Sequence, residues 1–122
     1  MEVTAWDVPI NAAWQKSNIL MDLAYSEDGL EIVLLEEESR QRWVMHFEEV
    51  LAFKVIRDEY SKWSTELVPA DGGFFEISDS PWLAALGLTD TSLEKIPHHF
   101  LICCQGELIE VAAWECLFTA SE

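Results

Sequence analysis

The sequence is poor in positive charge. Its 122 residues include 7 Lys plus Arg against 23 Asp plus Glu, which gives a formal net charge of -16 at pH 7. A surface this acidic gains no counterion-release energy from phosphate contacts, so we do not expect a nucleic-acid partner. A cationic protein partner fits the charge better, because opposite charges steer two proteins together.

Long apolar stretches are missing as well. The longest run without Asp, Glu, Lys or Arg is the eleven-residue segment Ile96–Gly106, whereas a spanning helix needs about 20 apolar residues. The segment Met1–Asp7 has no basic region leading into an apolar stretch, so no secretory signal is predicted. We therefore expect a cytoplasmic protein without a membrane partner.

Cysteine is scarce and badly spaced for cross-links. There are three Cys, and two of them, Cys103 and Cys104, are neighbours. An odd count with adjacent residues is a poor disulfide framework, so buried, reduced thiols are expected. Neighbouring residues on a strand point to opposite faces, so neither this pair nor His98 and His99 can hold one metal ion together.

The motifs of common enzymes are absent too. The sequence contains no GxGxxG, GxxxxGK or GxSxG segment, so neither a nucleotide site nor a serine-hydrolase site is indicated. We predict no catalytic residues, no cofactor and no metal, and we do not expect an enzyme.

What the sequence has in quantity is apolar and aromatic residues. Half of the residues are hydrophobic, 11% are aromatic and six are Trp, which is too apolar for an acidic disordered segment. A chain of this length hides roughly two thirds of its unfolded surface on folding, enough for one core. Residues 1–122 are predicted to form a single domain.

Period-two alternation of apolar and polar residues is the dominant pattern and predicts strands. Asp28-Gly29 and Gln105-Gly106 have the chemistry of tight hairpin turns, because Gly accepts a positive φ. The predicted strands are Ile19–Tyr25, Leu30–Glu36, Arg42–Glu48, Val50–Ile56 (with a helix as the alternative), Phe74–Ile77, His99–Cys104 and Glu107–Trp114.

Helical signals are few. Ser80 can cap a helix over Pro81–Leu86 that ends at Gly87, and Arg57–Glu66 is either a short helix or an ordered loop. The predicted fold class is therefore α+β, with a largely antiparallel sheet of about six to seven strands and one or two short helices.

The acidic residues exceed what solubility requires. A net charge of magnitude about 2 to 8 is enough for a small soluble domain, so we hypothesise that the surplus forms a surface for a cationic partner. The turn at residues 36–38 and the segment 57–71 are the predicted contacts, with one exposed Trp as an aromatic anchor. The predicted partner-binding residues are Glu36, Glu37, Glu38, Asp58, Glu59, Trp63, Glu66 and Asp71.

Several segments resemble those of small bacterial immunity proteins, which neutralise toxins of polymorphic or contact-dependent systems. The segments are Phe74–Ile77, Ser80–Leu83, His99–Ile102 and Glu110–Ala112, and they lie within residues 74–112, about a third of the chain. The resemblance implies a strand, a capped short helix and a closing hairpin. It also implies a cytoplasmic antidote without catalytic activity that occludes a cationic, nuclease-like toxin domain.

Two alternatives stay open at this point. The chain could be a non-catalytic adaptor or oligomeric subunit that uses an exposed strand edge, with its acidity serving solubility alone. It could also be a small enzyme with a site around His46, His98 and His99. A monomer and a homodimer are both compatible with the sequence.

Overall fold

Nine strands and one helix form in the part of the chain that the structure, a computed structural model, describes. That part comprises residues 1–11, 17–57, 68, 72–89 and 96–121. The elements are β1 (Glu2–Ala5), β2 (Asn18–Ser26), β3 (Gly29–Glu36), β4 (Arg42–Phe47), β5 (Val50–Arg57), β6 (Phe74–Ser78), α1 (Pro81–Ala85), β7 (His98–Cys103), β8 (Glu107–Ala113) and β9 (Leu117–Ser121).

The strands form two antiparallel sheets. One sheet has five strands in the order β1-β6-β7-β8-β5, and the other has four in the order β2-β3-β4-β9. The chain changes sheets three times: between β1 and β2, between β4 and β5 at residues 48–49, and between β8 and β9 at residues 114–116.

A single apolar core joins the two sheets face to face. Leu30, Ile32 and Phe47 of the four-stranded sheet pack with Phe100 and Ile109 of the five-stranded sheet, and all five are buried. Burying a side chain of this size contributes about 1.5–3 kcal/mol. The alternation of apolar residues along each strand therefore holds the sandwich together.

The five-stranded sheet also has an apolar second face. Phe75, Leu101 and Cys103 are buried there against Val68, whereas Cys104 belongs to the core between the sheets. The two adjacent cysteines thus lie on opposite sides of the sheet, as the sequence predicts.

Both predicted hairpin turns are confirmed. Ser26 pairs with Gly29, whose φ is +123°. In the second hairpin, the Cys104 N–H donates to the Glu107 carbonyl over 2.9 Å, and Gly106 has a φ of +87°. Glycine at these positions accepts the left-handed backbone that the turns require.

The predicted helix is confirmed, one residue shorter than expected. It spans Pro81–Ala85, and the Ser80 hydroxyl accepts the Leu83 N–H over 3.1 Å. No helix in the described residues is long and apolar enough to cross a membrane. The alternative helix over Val50–Ile56 is wrong, because this segment is strand β5 paired with β8.

The strand count and the helix content differ from the prediction. Nine strands form instead of six to seven, and the described residues contain only one short helix, so the fold is mainly β. The additional strands, β1 and β9, are short edge strands without clear alternation of exposure. They are held by pairing with β6 and β4. A pattern of neighbouring residues in the sequence does not predict such long-range pairing.

Candidate functional site

A cleft with two lobes lies where the chain passes between the sheets. The wider lobe has a volume of about 440 Å³ and the narrower one about 270 Å³. The wider lobe is lined by Glu48, Glu49, Ile96, His98, Trp114 and Glu115. The narrower lobe is lined by Trp6, Glu76, His98, Phe100, Trp114, Glu115 and Cys116.

Strand alternation explains how the cleft is built. His98 and Phe100 lie two residues apart on β7, so they share a face, and Glu76 pairs with Phe100 from β6. This is the face that carries the core, but Glu76 and His98 remain partly exposed while Phe100 is buried. The inner face of the five-stranded sheet is therefore open to solvent at this point.

The charge of the cleft is negative. Glu48, Glu49 and Glu115 are exposed, and Glu76 is half-buried. His98 contacts the Glu76 carboxylate through Nδ1. Among the lining residues that the structure describes, none is Lys or Arg, so none of these residues carries a fixed positive charge that would neutralise the carboxylates.

Aromatic rings form the wall of the narrower lobe. Trp6 stacks on Phe100 with ring centroids 4.3 Å apart and planes inclined by 29°, and Phe100 also stacks on the His98 ring at 5.6 Å. The indole N–H of Trp114 is shielded from solvent and has no acceptor among the described residues. Carboxylates beside aromatic faces suit a cation, which both groups attract.

A second polar constellation is buried on the opposite face of β7. The His99 side chain lies 2.7 Å from Ser80 Oγ through Nδ1 and 2.7 Å from Glu110 Oε1 through Nε2. The Lys54 ammonium contacts Glu110 Oε2 at 3.3 Å and lies 4.9 Å above the Trp82 ring. We call these five residues the His99 network.

Hydrogen-bond roles in the His99 network follow from its donors and acceptors. An ionised Glu110 only accepts, so Nε2 of His99 carries a proton, and Ser80 Oγ, which accepts the Leu83 N–H, can donate to Nδ1. The order of groups resembles a catalytic triad. Ser80, however, is only 4% exposed, and neither described lobe of the cleft reaches it. The network's evident role is to tie α1 to β5, β7 and β8.

The sequence-predicted turn residues do not reach the cleft. Glu36 is buried, and hydrogen bonds from the Ser39 side chain and from the N–H groups of Ser39 and Glu38 lower the pKa of its carboxyl. Glu37 and Glu38 are exposed, but the turn lies at the opposite end of β4 from Glu48. Six residues of β4 separate the two ends, about 20 Å.

The burial of Glu36 therefore argues against its predicted role as a partner contact, because its carboxylate serves the turn. Glu37 accepts a hydrogen bond from the Gln105 amide, which also commits it to the fold. The remaining predicted contacts lie outside the described residues: Asp58, Glu59, Trp63, Glu66 and Asp71.

The three histidines do not converge. His98 lines the cleft, His99 is buried on the other face of β7, and His46 lies on β4 opposite Glu31 and Leu117. Within the described ranges, no three His, Cys, Asp or Glu side chains form a group that could hold a metal ion. The geometry does not support the alternative of one enzyme site built from these histidines.

The adaptor alternative depends on an exposed strand edge. Two of the four edge strands, β2 and β5, each contain a register shift, at Met21 and at Leu51, and both of these residues are exposed. Bulges are a common device against edge-to-edge pairing, since they interrupt the ladder that a second chain would extend. These two edges are thus poorly suited to pairing.

The sequence carries signals for parts of the cleft and of the His99 network, although these residues were not predicted as partner contacts. Glu48 and Glu49 stand out as paired carboxylates, and Glu110 as a single charge between Ile109 and Val111. A lone charge inside an apolar strand signals a buried partner. His99 becomes this partner because β7 pairs with β8. No sequence motif predicts that pairing.

The three cysteines are free thiols in surroundings that suppress the thiolate. Burial raises the pKa of Cys103 and of Cys116 to about 12. Burial, followed by the negative charge of Glu107, also raises the pKa of Cys104. Since the thiolate is the nucleophile, none of the three is suited to nucleophilic catalysis.

We expect these thiols to be alkylated slowly in the native protein. With iodoacetamide at pH 8, the native protein should incorporate label at least about 100-fold more slowly than the urea-unfolded chain, because the higher pKa lowers the thiolate fraction about 1000-fold. Intact-mass spectrometry over time measures this, and a Cys116→Ser variant separates the least buried thiol. Rapid labelling of native Cys103 or Cys104 would contradict the expectation.

Comparison with protein-family models, with curated proteins and with solved structures finds no match to this chain.

Proposed function

We propose that the chain is a binding protein whose acidic, aromatic-walled cleft receives a cationic surface of a protein partner. The observation that carries the proposal is the joint presence of four carboxylates and three aromatic rings around one concavity with no described Lys or Arg in its lining. Carboxylates attract the partner over distance, and desolvated aromatic rings slow its release.

The partner that fits this chemistry best is a toxin domain with a phosphate-binding active site, such as a nuclease. A site built to hold phosphates is cationic, so an acidic protein that covers it blocks substrate and is attracted by the same charges. The formal charge of -16 and the resemblance to immunity proteins support this function. The chain then acts as an antidote without chemistry of its own.

The charge of the cleft is the first property to test. A triple variant, Glu48→Gln, Glu49→Gln and Glu115→Gln, should bind a cationic toxin domain about tenfold more weakly or worse at 50 mM salt, because it removes the attraction at the contact. The proposal expects a toxin domain to be encoded beside the gene for this chain, and that domain is the probe; a neighbourhood without one would count against the proposal. Surface plasmon resonance at 50 and 300 mM NaCl measures both rates.

The matched control removes three charges elsewhere. Asp22, Glu31 and Glu38 are exposed and do not line either lobe, so Asp22→Asn, Glu31→Gln and Glu38→Gln should leave affinity within about twofold. Glu38 belongs to the turn that the sequence analysis predicted as a partner contact, so the control also compares that turn with the cleft. Equal losses in both variants, or association insensitive to salt, would refute the proposal.

A further inference from the structure

The two lobes of the cleft differ in chemistry, and the difference identifies the kind of segment that fits them. We propose that the cleft binds an extended segment of the partner with two basic residues in alternate positions, Arg-x-Lys or Arg-x-Arg, and that the arginine occupies the narrower lobe. This inference rests on the proposed function and specifies its ligand.

Each lobe, taken separately, is small enough to suit a single side chain. Pockets for drug-sized molecules have volumes of about 300–1000 Å³, and the narrower lobe, at about 270 Å³, lies below that range. The wider lobe, at about 440 Å³, lies near its lower end. A lobe of each size suits one long side chain with its hydration.

The narrower lobe has the features that distinguish arginine from lysine. Its wall contains Trp6, Phe100 and Trp114, with the carboxylates of Glu76 and Glu115 beside them. A guanidinium is planar, so it can lie against an aromatic ring while its N–H groups donate to a carboxylate. An ammonium is a strongly hydrated point charge that cannot satisfy both contacts equally well.

The wider lobe has no such preference. Glu48, Glu49 and Glu115 provide carboxylates around Ile96, and Trp114 is its one aromatic lining residue among those the structure describes. A flexible ammonium or a guanidinium is attracted there mainly by charge. Either basic residue therefore fits this lobe.

The spacing follows from the shared wall. His98, Trp114 and Glu115 line both lobes, so the lobes are immediate neighbours. In an extended chain, alternate side chains point the same way and are about 6.6 Å apart, so both can enter neighbouring lobes. Adjacent basic residues would point to opposite sides, so only one of them would enter.

Trp114 offers a contact for the backbone of such a segment. Its indole N–H has no acceptor among the described residues. A cationic side chain cannot accept this hydrogen bond, whereas the carbonyl oxygen of a peptide can. Because the N–H is shielded from solvent, this bond requires the indole to turn towards the lobe, which a change in tryptophan fluorescence would report.

The test compares two five-residue peptides of equal charge, acetyl-Gly-Arg-Gly-Lys-Gly-amide and acetyl-Gly-Lys-Gly-Lys-Gly-amide. Titration calorimetry at 50 mM salt should show the arginine peptide binding about fivefold to tenfold more tightly, the size of one partly desolvated cation–π contact. A third peptide, with Ala in place of the second basic residue, should bind more weakly than the arginine peptide.

Single variants then test which lobe determines the preference for arginine. Glu76 lines only the narrower lobe, so Glu76→Gln should reduce the preference for arginine to less than about twofold. Glu49 lines only the wider lobe, so Glu49→Gln should weaken both peptides by a similar factor and keep the preference. Thermal unfolding of each variant checks that the fold is retained.

Equal affinities of the native protein for the two peptides would overturn the assignment, and so would an arginine preference that survives Glu76→Gln. Binding of the folded toxin domain decides the proposed function separately. If that binding depends on Glu48, Glu49 and Glu115 while neither peptide binds, the function stands and the alternate-residue segment is wrong.

Discussion

Replacing Glu110 with alanine is expected to lower the free energy of unfolding by about 2–4 kcal/mol. The buried His99 N–H loses its acceptor, which costs about 1–3 kcal/mol, and the loss of one buried methylene adds about 0.8 kcal/mol. Both residues are almost fully buried, so water does not replace the lost hydrogen bond. Urea unfolding, with linear extrapolation to water, measures the change.

The Lys54 contact provides the control for this prediction. Its side chain is 39% exposed, so Lys54→Met should cost about 1 kcal/mol or less, because a half-exposed ion pair is weak. Glu110→Gln should lie between the two, since the amide keeps an acceptor for His99 Nε2. A cost below about 1 kcal/mol for Glu110→Ala would show that the His99 network contributes little to the fold.

Replacing Gly29 with alanine should be at least as damaging. The added Cβ would lie 2.2 Å from the Phe47 carbonyl oxygen and 3.1 Å from that of Glu48, so the backbone itself must move. The φ of +123° adds about 1–2 kcal/mol for a side chain in a left-handed conformation, and overpacking typically adds about 1–3 kcal/mol. We expect a total loss of about 2–5 kcal/mol.

Gly106→Ala is the control that separates the steric part of this cost from the conformational part. It also occupies a hairpin turn with a positive φ, but a Cβ there would meet nothing within 4 Å. Gly106→Ala should therefore lose only the conformational part, about 1–2 kcal/mol. Urea unfolding of both variants gives the comparison, and equal stabilities would contradict the predicted collision.

The Gly29 position also links stability to the cleft. The carbonyl groups that the new Cβ would displace belong to Phe47 and Glu48, at the crossing from which Glu48 and Glu49 enter the wider lobe. A Gly29→Ala protein that still folds should therefore bind a cationic partner more weakly than Gly106→Ala does.

Local structure was largely predictable from the sequence. The strands from β2 to β8, both hairpin turns and the capped helix follow from apolar alternation, glycine position and the Ser80-Pro81 pair. These signals act between residues close in the chain, so they are readable without knowledge of the partner strands. The short edge strands β1 and β9 were not predicted, because pairing with a distant strand creates them.

The location of the site was not predictable in the same way. The sequence directed attention to Glu36–Glu38, where local hydrogen bonds occupy the carboxylate of Glu36, and to residues beyond Arg57. The cleft instead combines Trp6, Glu76, His98 and Trp114, which are far apart in the chain. No local pattern brings these residues together.

By itself, the sequence determined the acidity, the antiparallel strands and the turns, since each depends on composition or on neighbouring residues. Only the tertiary structure decided which carboxylates share a surface with aromatic rings and which are committed to the fold. The reason is that the order of strands in the two sheets sets the distance between remote residues, and a charge acquires a function from the groups that surround it in space.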